Sequence, residues 1–184
     1  MDKRYQKTEI RLNQALWELI AQNGVLNLHL KDILTTANIS KSVFYAHYKN
    51  MDDLLRTQER ALITGMELST LPVSFFQLAH HDQTAQQELR AHIQRMVDYV
   101  YANGEKFYLL LNGGGDPTFE YQLHHLVASH PDPQSVPALK YFYTGMLGMI
   151  TNIIVLWGRN HFEDSPNQIA NLLFSIIQPI LSNN

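Results

Sequence analysis

The chain has 184 residues, 45% of them apolar, which is enough to bury a sizeable core in one or two small domains. It has no cysteine, so disulfides, thiolate catalysis and zinc–thiolate centres are excluded, and a reducing compartment such as the cytoplasm fits. The net charge of −3 argues by itself against a nucleic-acid binder, but it is unevenly spread. The first fifty residues carry seven bases and four acids, and the remainder carry seven and thirteen. A basic head on an acidic body suits DNA binding by one end, although so few charges can also fall that way by chance.

In chain order, MDKRYQKTEI has no apolar signal core, so export is not expected. A first helix opens at Thr8 or before it, with a stripe of Leu12, Leu16, Leu19 and Ile20, and Asn23-Gly24 closes it. Leu30, Ile33, Leu34 and Ala37 give a short second helix one apolar face. Asn38 suits the left-handed turn that follows, Ile39 plugs the angle, and Ser40 caps a third helix. In that helix Phe44 and Tyr48 face inward, leaving Lys41, Ser42, Tyr45, Ala46 and Lys49 opposite. Asn50 caps a fourth helix, with Asp53 in a capping-box position and Leu54, Leu55, Leu62 and Met66 as its stripe, ending before Leu71-Pro72.

Phe75-Phe76 reads as a short turn. Leu89, Ile93, Met96, Val97 and Val100 mark a long helix from Thr84 to Ala102, closed by Asn103-Gly104 and followed by a short one from Glu105 to Leu111. The Gly113-Gly114-Gly115 run lacks the lysine–threonine pair of a phosphate loop and reads as a connection. Asp116-Pro117 starts a helix to about Ser129, and Pro131, Pro133 and Pro137 make a loop. Pro137 opens a helix reaching Trp157-Gly158, and Ser165-Pro166-Asn167-Gln168 is a capping box for the last one. That last helix carries Ile169, Leu172, Leu173, Ile176, Ile177 and Ile180, with Pro179 expected to end or bend it. The apolar stretch 141–158 is short for a membrane span and holds Thr144, Thr151 and Asn152, so a buried helix is expected and no membrane.

The run Asp32-Ile33, Ala37 through Asn50 and then Leu54-Leu55 resembles the N-terminal domain of TetR-type transcriptional regulators, over about the first third of the chain. The resemblance implies an all-α fold of about nine helices. Residues 1–50 would form a three-helix, helix-turn-helix DNA-binding domain and residues 51–184 a ligand-binding and dimerisation domain. It implies a homodimer on a near-palindromic operator in double-stranded DNA, acting as a repressor released by a small-molecule effector. The DNA contacts it implies are Lys31, Lys41, Ser42, Val43, Tyr45, Ala46, His47 and Lys49, with Lys3, Arg4 and Lys7 near the backbone. Its last two helices would pair with those of a second subunit through Tyr141, Gly145, Gly148, Ile153, Ile169, Leu173 and Ile176. Two departures stand out. Met51 replaces a common lysine, and His29 replaces a capping threonine.

The body from FYLLLNGGG to GMLGMITNIIVLWG is similar to a Gram-positive subgroup in which some members are co-activators that bind a protein partner. A helical binding protein without DNA recognition is the third alternative. Tyr99, Phe107, Tyr108, Phe119 and Tyr143 either line an effector pocket or fill a core. His80-His81, His124-His125 and His130 are the only metal candidates. Neighbouring helical side chains point about 100° apart, no cysteine helps, and no metal or other cofactor is expected. No nucleophile–base pair or nucleotide motif supports an enzyme.

Overall fold

The computed structural model describes residues 3–66, 83–112, 114–125 and 137–182, with backbone alone at 125, 137–143 and 180–182. Among the described residues there are nine α-helices and no strand: α1 (Lys3–Asn23), α2 (Leu30–Ala37), α3 (Lys41–His47), α4 (Met51–Gly65), α5 (Gln83–Ala102), α6 (Gly104–Leu111), α7 (Pro117–His125), α8 (Pro137–Arg159) and α9 (Pro166–Ser182). A 3₁₀ turn, Val25–Asn27, follows α1. The all-α expectation stands. The turn at Phe75-Phe76, the histidines His80, His81 and His130, and the helix end expected near Ser129 lie outside the described residues.

Local chemistry sets the junctions of the first four helices. Asn38 takes the left-handed conformation (φ 48°). Its N–H reaches the Thr35 carbonyl at 3.1 Å and that of Ile39 the Leu34 carbonyl at 3.1 Å, the paired bonds of a Schellman motif. Ser40 Oγ accepts from the Val43 amide at 3.3 Å. Asn50 Oδ1 accepts from the Asp53 amide at 2.8 Å, while Asp53 Oδ2 accepts from the Lys49 amide at 3.0 Å, so the cap is nearly reciprocal. His29 occupies an N-cap position without a side-chain cap, as its replacement of a threonine implies.

Among the described residues the buried apolar side chains form a cluster running from Leu12 to Ile177. The expected stripes of α1, α4 and α5 are all buried. Gly24 (φ 74°) lets α1 turn tightly against the α6–α7 connection, where the Val25 amide donates to the Gly114 carbonyl at 2.8 Å. α5 ends at Ala102 and Asn103 turns the chain, as expected from Asn103-Gly104. The next helix begins one residue earlier than expected, at Gly104, which is packed under the Phe162 ring.

α9 lies along α5 and runs through Pro179 to Ser182, so that proline does not end it. Its apolar stripe splits into two rows. Ile169, Leu173 and Ile177 are core residues, so Ile169 and Leu173 do not lie on a face open to a second subunit. The reason is geometric, because side chains four apart share one face and the stripe is wider than that face. Ile176 and Ile153 are half-buried, Gly145 is exposed, and Leu172 and Leu156 are 45% and 60% exposed. Nothing lies within 4 Å of a Cβ built on Gly145 or Gly148. The side chain of Tyr141 is outside the described residues.

Candidate nucleic-acid interface

α3 has seven residues and is positioned by its inward side. Phe44 is fully buried and Tyr48 6% exposed, as the sequence pattern requires. Lys41, Ser42, Val43, Tyr45 and Ala46 are exposed on α3, as are Lys49 just beyond its end and Lys31 on α2. Tyr45 packs edge-on against Phe44 (5.5 Å between ring centres), and Lys41 Nζ stands 5.9 Å from its ring, so the phenol is held outward. Ser42 Oγ lies 2.9 Å from the cap hydroxyl of Ser40. This face offers two cations, a hydroxyl, a phenol and methyl groups, a set that meets phosphates and base edges.

His47 departs from the expected set. Its side chain is 6% exposed, its Nδ1 lies 2.5 Å from Glu9 Oε1, and its ring stacks on Tyr5 at 4.0 Å. The same carboxylate accepts the Tyr48 hydroxyl through Oε2. Burial, then Glu9, raises the pKa of Tyr48 well above the ordinary phenol value, so it stays a donor. Arg11 Nη2 donates to the Asn38 carbonyl at 2.6 Å and ties α1 to the turn. Such pairs join residues far apart in sequence, and no local pattern announces them.

A second polar site joins α4 to the start of α7. Arg56 contacts Glu59 (2.6 Å), Asp116 (2.8 Å) and Asp52 (3.2 Å), and donates to Thr118. Gln122 Nε2 donates to Glu59 Oε2 at 2.9 Å. Asp116, expected only as a helix cap, does cap: its Oδ1 accepts the Thr118 amide and hydroxyl at 2.8 Å each. Burial works against its charge, but Thr118 and Arg56 hold its carboxyl below the usual range. Glu59 is fully buried, and burial outweighs Arg56 and Gln122, pushing its carboxyl up to about 6. The sequence held a signal for this residue, since Glu59 stands between Leu55 and Leu62 on the inward stripe of α4.

The sign of the linkage follows. A carboxyl with a raised folded-state pKa binds its proton more tightly when folded. Its contribution to stability is therefore present below the unfolded value, 4.5, and is lost as pH rises through about 6. The wild type minus Glu59→Gln difference in unfolding free energy is expected to fall by about 2 kcal/mol across that window. Urea titrations at pH 4.5 and 7 check it; a difference independent of pH is the contrary result.

The aromatics proposed for a pocket are dispersed. Phe107 and Phe119 are fully buried and meet at 5.8 Å in an edge-to-face pair, which makes them core between α6 and α7. Tyr108 lies on His161 at 3.9 Å. Tyr99 donates to the Ala61 carbonyl at 3.3 Å, and any side chain at Gly65 would overlap its ring. The side chain of Tyr143 is outside the described residues. A groove of about 390 Å³ lies instead at the α4–α7 junction, with Leu28, Met51 and Leu55 on its apolar side and Arg56, Asp116 and Thr118 on its polar side. Among the described residues no three metal-ligating side chains converge, and no helix is long and apolar enough to cross a membrane.

A helix-turn-helix that presents this face ahead of an all-helical body defines a DNA-binding transcriptional regulator. Residues 13–57 match the family of bacterial regulatory proteins, tetR family. The fold is similar to that of a TetR transcriptional regulator from Streptococcus agalactiae, with a TM-score of 0.64 and 16% identity over 96% of each chain. Comparison with curated proteins gives no match. The match over residues 13–57 and the shared fold of the whole chain support a TetR-family regulator.

Proposed function

We propose that the protein is a homodimeric, cytoplasmic transcriptional repressor that binds a near-palindromic operator and is released by an effector. The carrying observation is the exposed side of α3, with Lys41, Ser42, Val43, Tyr45 and Ala46, and the exposed Lys49 just past its end and Lys31 on α2. In this reading residues 1–50 bind DNA and residues 51–184 bind the effector and the second subunit. Two heads on a symmetric dimer require half-sites about 34–36 Å apart or a related spacing. Binding to duplex DNA from its own promoter region, falling steeply with salt, tests the reading. Binding that does not depend on salt or sequence defeats it.

Support for the dimer comes from the outward row of α8 and α9. Gly145 and Gly148 leave room for a helix to approach α8, where Ile153 and Leu156 add apolar surface, and Leu172 and Ile176 are outward apolar side chains on α9. Leu156→Glu is expected to leave the single-chain fold intact, since this side chain is 60% exposed. It places two unpaired carboxylates at a symmetric interface at a cost of about 3–5 kcal/mol each, enough to leave monomers at micromolar concentration. Sedimentation velocity reads the result; an unchanged dimer rules out this face.

An effector of the small-molecule class would have to touch both α4 and α7 to move the head, and the junction groove does so. Compounds that raise the melting temperature and abolish DNA binding support release by a ligand. Stabilisation by a protein partner alone, with DNA binding retained, favours the co-activator alternative.

A further inference from the structure

We propose that Glu9 is a positioning residue for DNA recognition: its single carboxylate, gripped by His47 and Tyr48, locks the end of α3 to the N-terminal half of α1. The inference rests on the reading of α3 as the DNA-facing helix. α3 is too short to hold its own orientation; helices of this length are marginal without outside contacts. Its start is fixed by the Ser40 cap and its middle by Phe44. Its end runs straight into extended backbone at Tyr48 (φ −135°, ψ 143°), with no glycine cap to fix it. The anchor there is the side chain of Glu9, with Oε1 on His47 and Oε2 on Tyr48. Tyr5, one turn earlier on the same face of α1, stacks on the His47 ring from another side, with 19° between the planes.

Two consequences follow. His47, 6% exposed and facing a carboxylate, is withdrawn from the DNA side and serves the protein's interior. The exposed Lys3 and Lys7, on the same stretch of α1 as Glu9, share one rigid frame with the reading face of α3. Phosphate contacts from α1 and base contacts from α3 then keep a fixed register.

The sign of one substitution separates this role from a plain electrostatic one. An anion in a DNA-binding head repels phosphate, so removing a carboxylate with no positioning role strengthens binding. Positioning predicts the reverse. With full-length protein, fluorescence anisotropy on the promoter duplex bound by the wild type and on a shuffled duplex gives affinities across a salt series. Glu9→Ala is expected to weaken binding to the promoter duplex about ten-fold, the effect of losing a charge-assisted hydrogen bond, with the salt slope unchanged. Binding to the shuffled duplex stays equal or tightens. His47→Ala is expected to behave the same way and to add nothing to Glu9→Ala in the double variant. Tyr48→Phe, which keeps the buried ring and removes the hydroxyl, is expected to lose affinity in the same direction at an unchanged melting temperature, and it decides the matter if Glu9→Ala fails to fold.

Equal or tighter binding of the promoter duplex by Glu9→Ala overturns the inference. So does a His47→Ala variant that lowers the salt slope and adds fully to Glu9→Ala, because His47 is then a phosphate contact. If the wild type shows no salt-dependent binding at all, the reading of α3 fails, and this inference with it.

Discussion

Replacing Arg56 with alanine is expected to destabilise the folded chain by about 3–5 kcal/mol, the cost of stripping a buried charge of its partner. Glu59 is fully buried, and its Oε1 makes no hydrogen bond among the described residues. Without Arg56 it keeps the Gln122 amide but no cation, and Asp116 keeps the Thr118 amide and hydroxyl but no cation. The Asp52 contact adds little, since that carboxylate is 68% exposed and surface pairs are worth about 1 kcal/mol or less. The arginine side chain is itself 27% exposed, so water can screen part of the loss, and the lower end of the range is the better figure. Lysine is not expected to rescue, because one ammonium cannot serve Glu59, Asp116 and Thr118 in the directions a guanidinium does. The urea midpoint reads the effect at unchanged slope; a loss below about 1 kcal/mol means the cluster is solvated and carries no stability. Only residues 48–50 separate α3 from α4, so a junction that loosens here is expected to loosen the head as well.

The sequence was informative where the cause was local. Asn38, Ser40 and Asn50 declare their turns because each cap is satisfied within a few residues. The stripes of α1, α4 and α5 were legible because one face was apolar and the other was not. α9 was harder, since both its rows are apolar and hydrophobicity alone does not say which meets α5 and which is left open. For that reason the sequence did not show that Ile169 and Leu173 are buried within the single chain while Leu172 stays exposed. Most of the α3 face was legible from the period of Phe44 and Tyr48, with one exception. His47 is claimed by Glu9, a residue on another helix, and only coordinates reveal that. Phe107 and Phe119 show the opposite limit: an aromatic looks the same in a sequence whether it lines a cavity or fills one.

The Tyr45→Ala and Lys49→Ala pair should separate charge from hydrogen bonding at the proposed interface. Lys49 has its backbone amide held by Asp53 Oδ2, while its side chain is exposed and makes no ion pair among the described residues. Its ammonium is therefore available to phosphate, and its loss should reduce the slope of log K against log salt by about one per head, about two per dimer. Tyr45 is 49% exposed, with its ring steered by Phe44 and Lys41, so its phenol can donate one bond without carrying charge. Its loss should weaken binding about ten-fold and leave the slope alone. Lys49 lies beyond the end of α3 and the two side chains make no contact with each other in the structure, so the losses should add and the double variant should bind more than ten-fold more weakly than the wild type. Neither residue is part of the core, and unfolding should be unaffected. An unchanged affinity in the double variant would mean that α3 does not face DNA. A slope that falls for Tyr45→Ala alone would mean that its ring acts by placing Lys41 on phosphate instead of by its own hydroxyl.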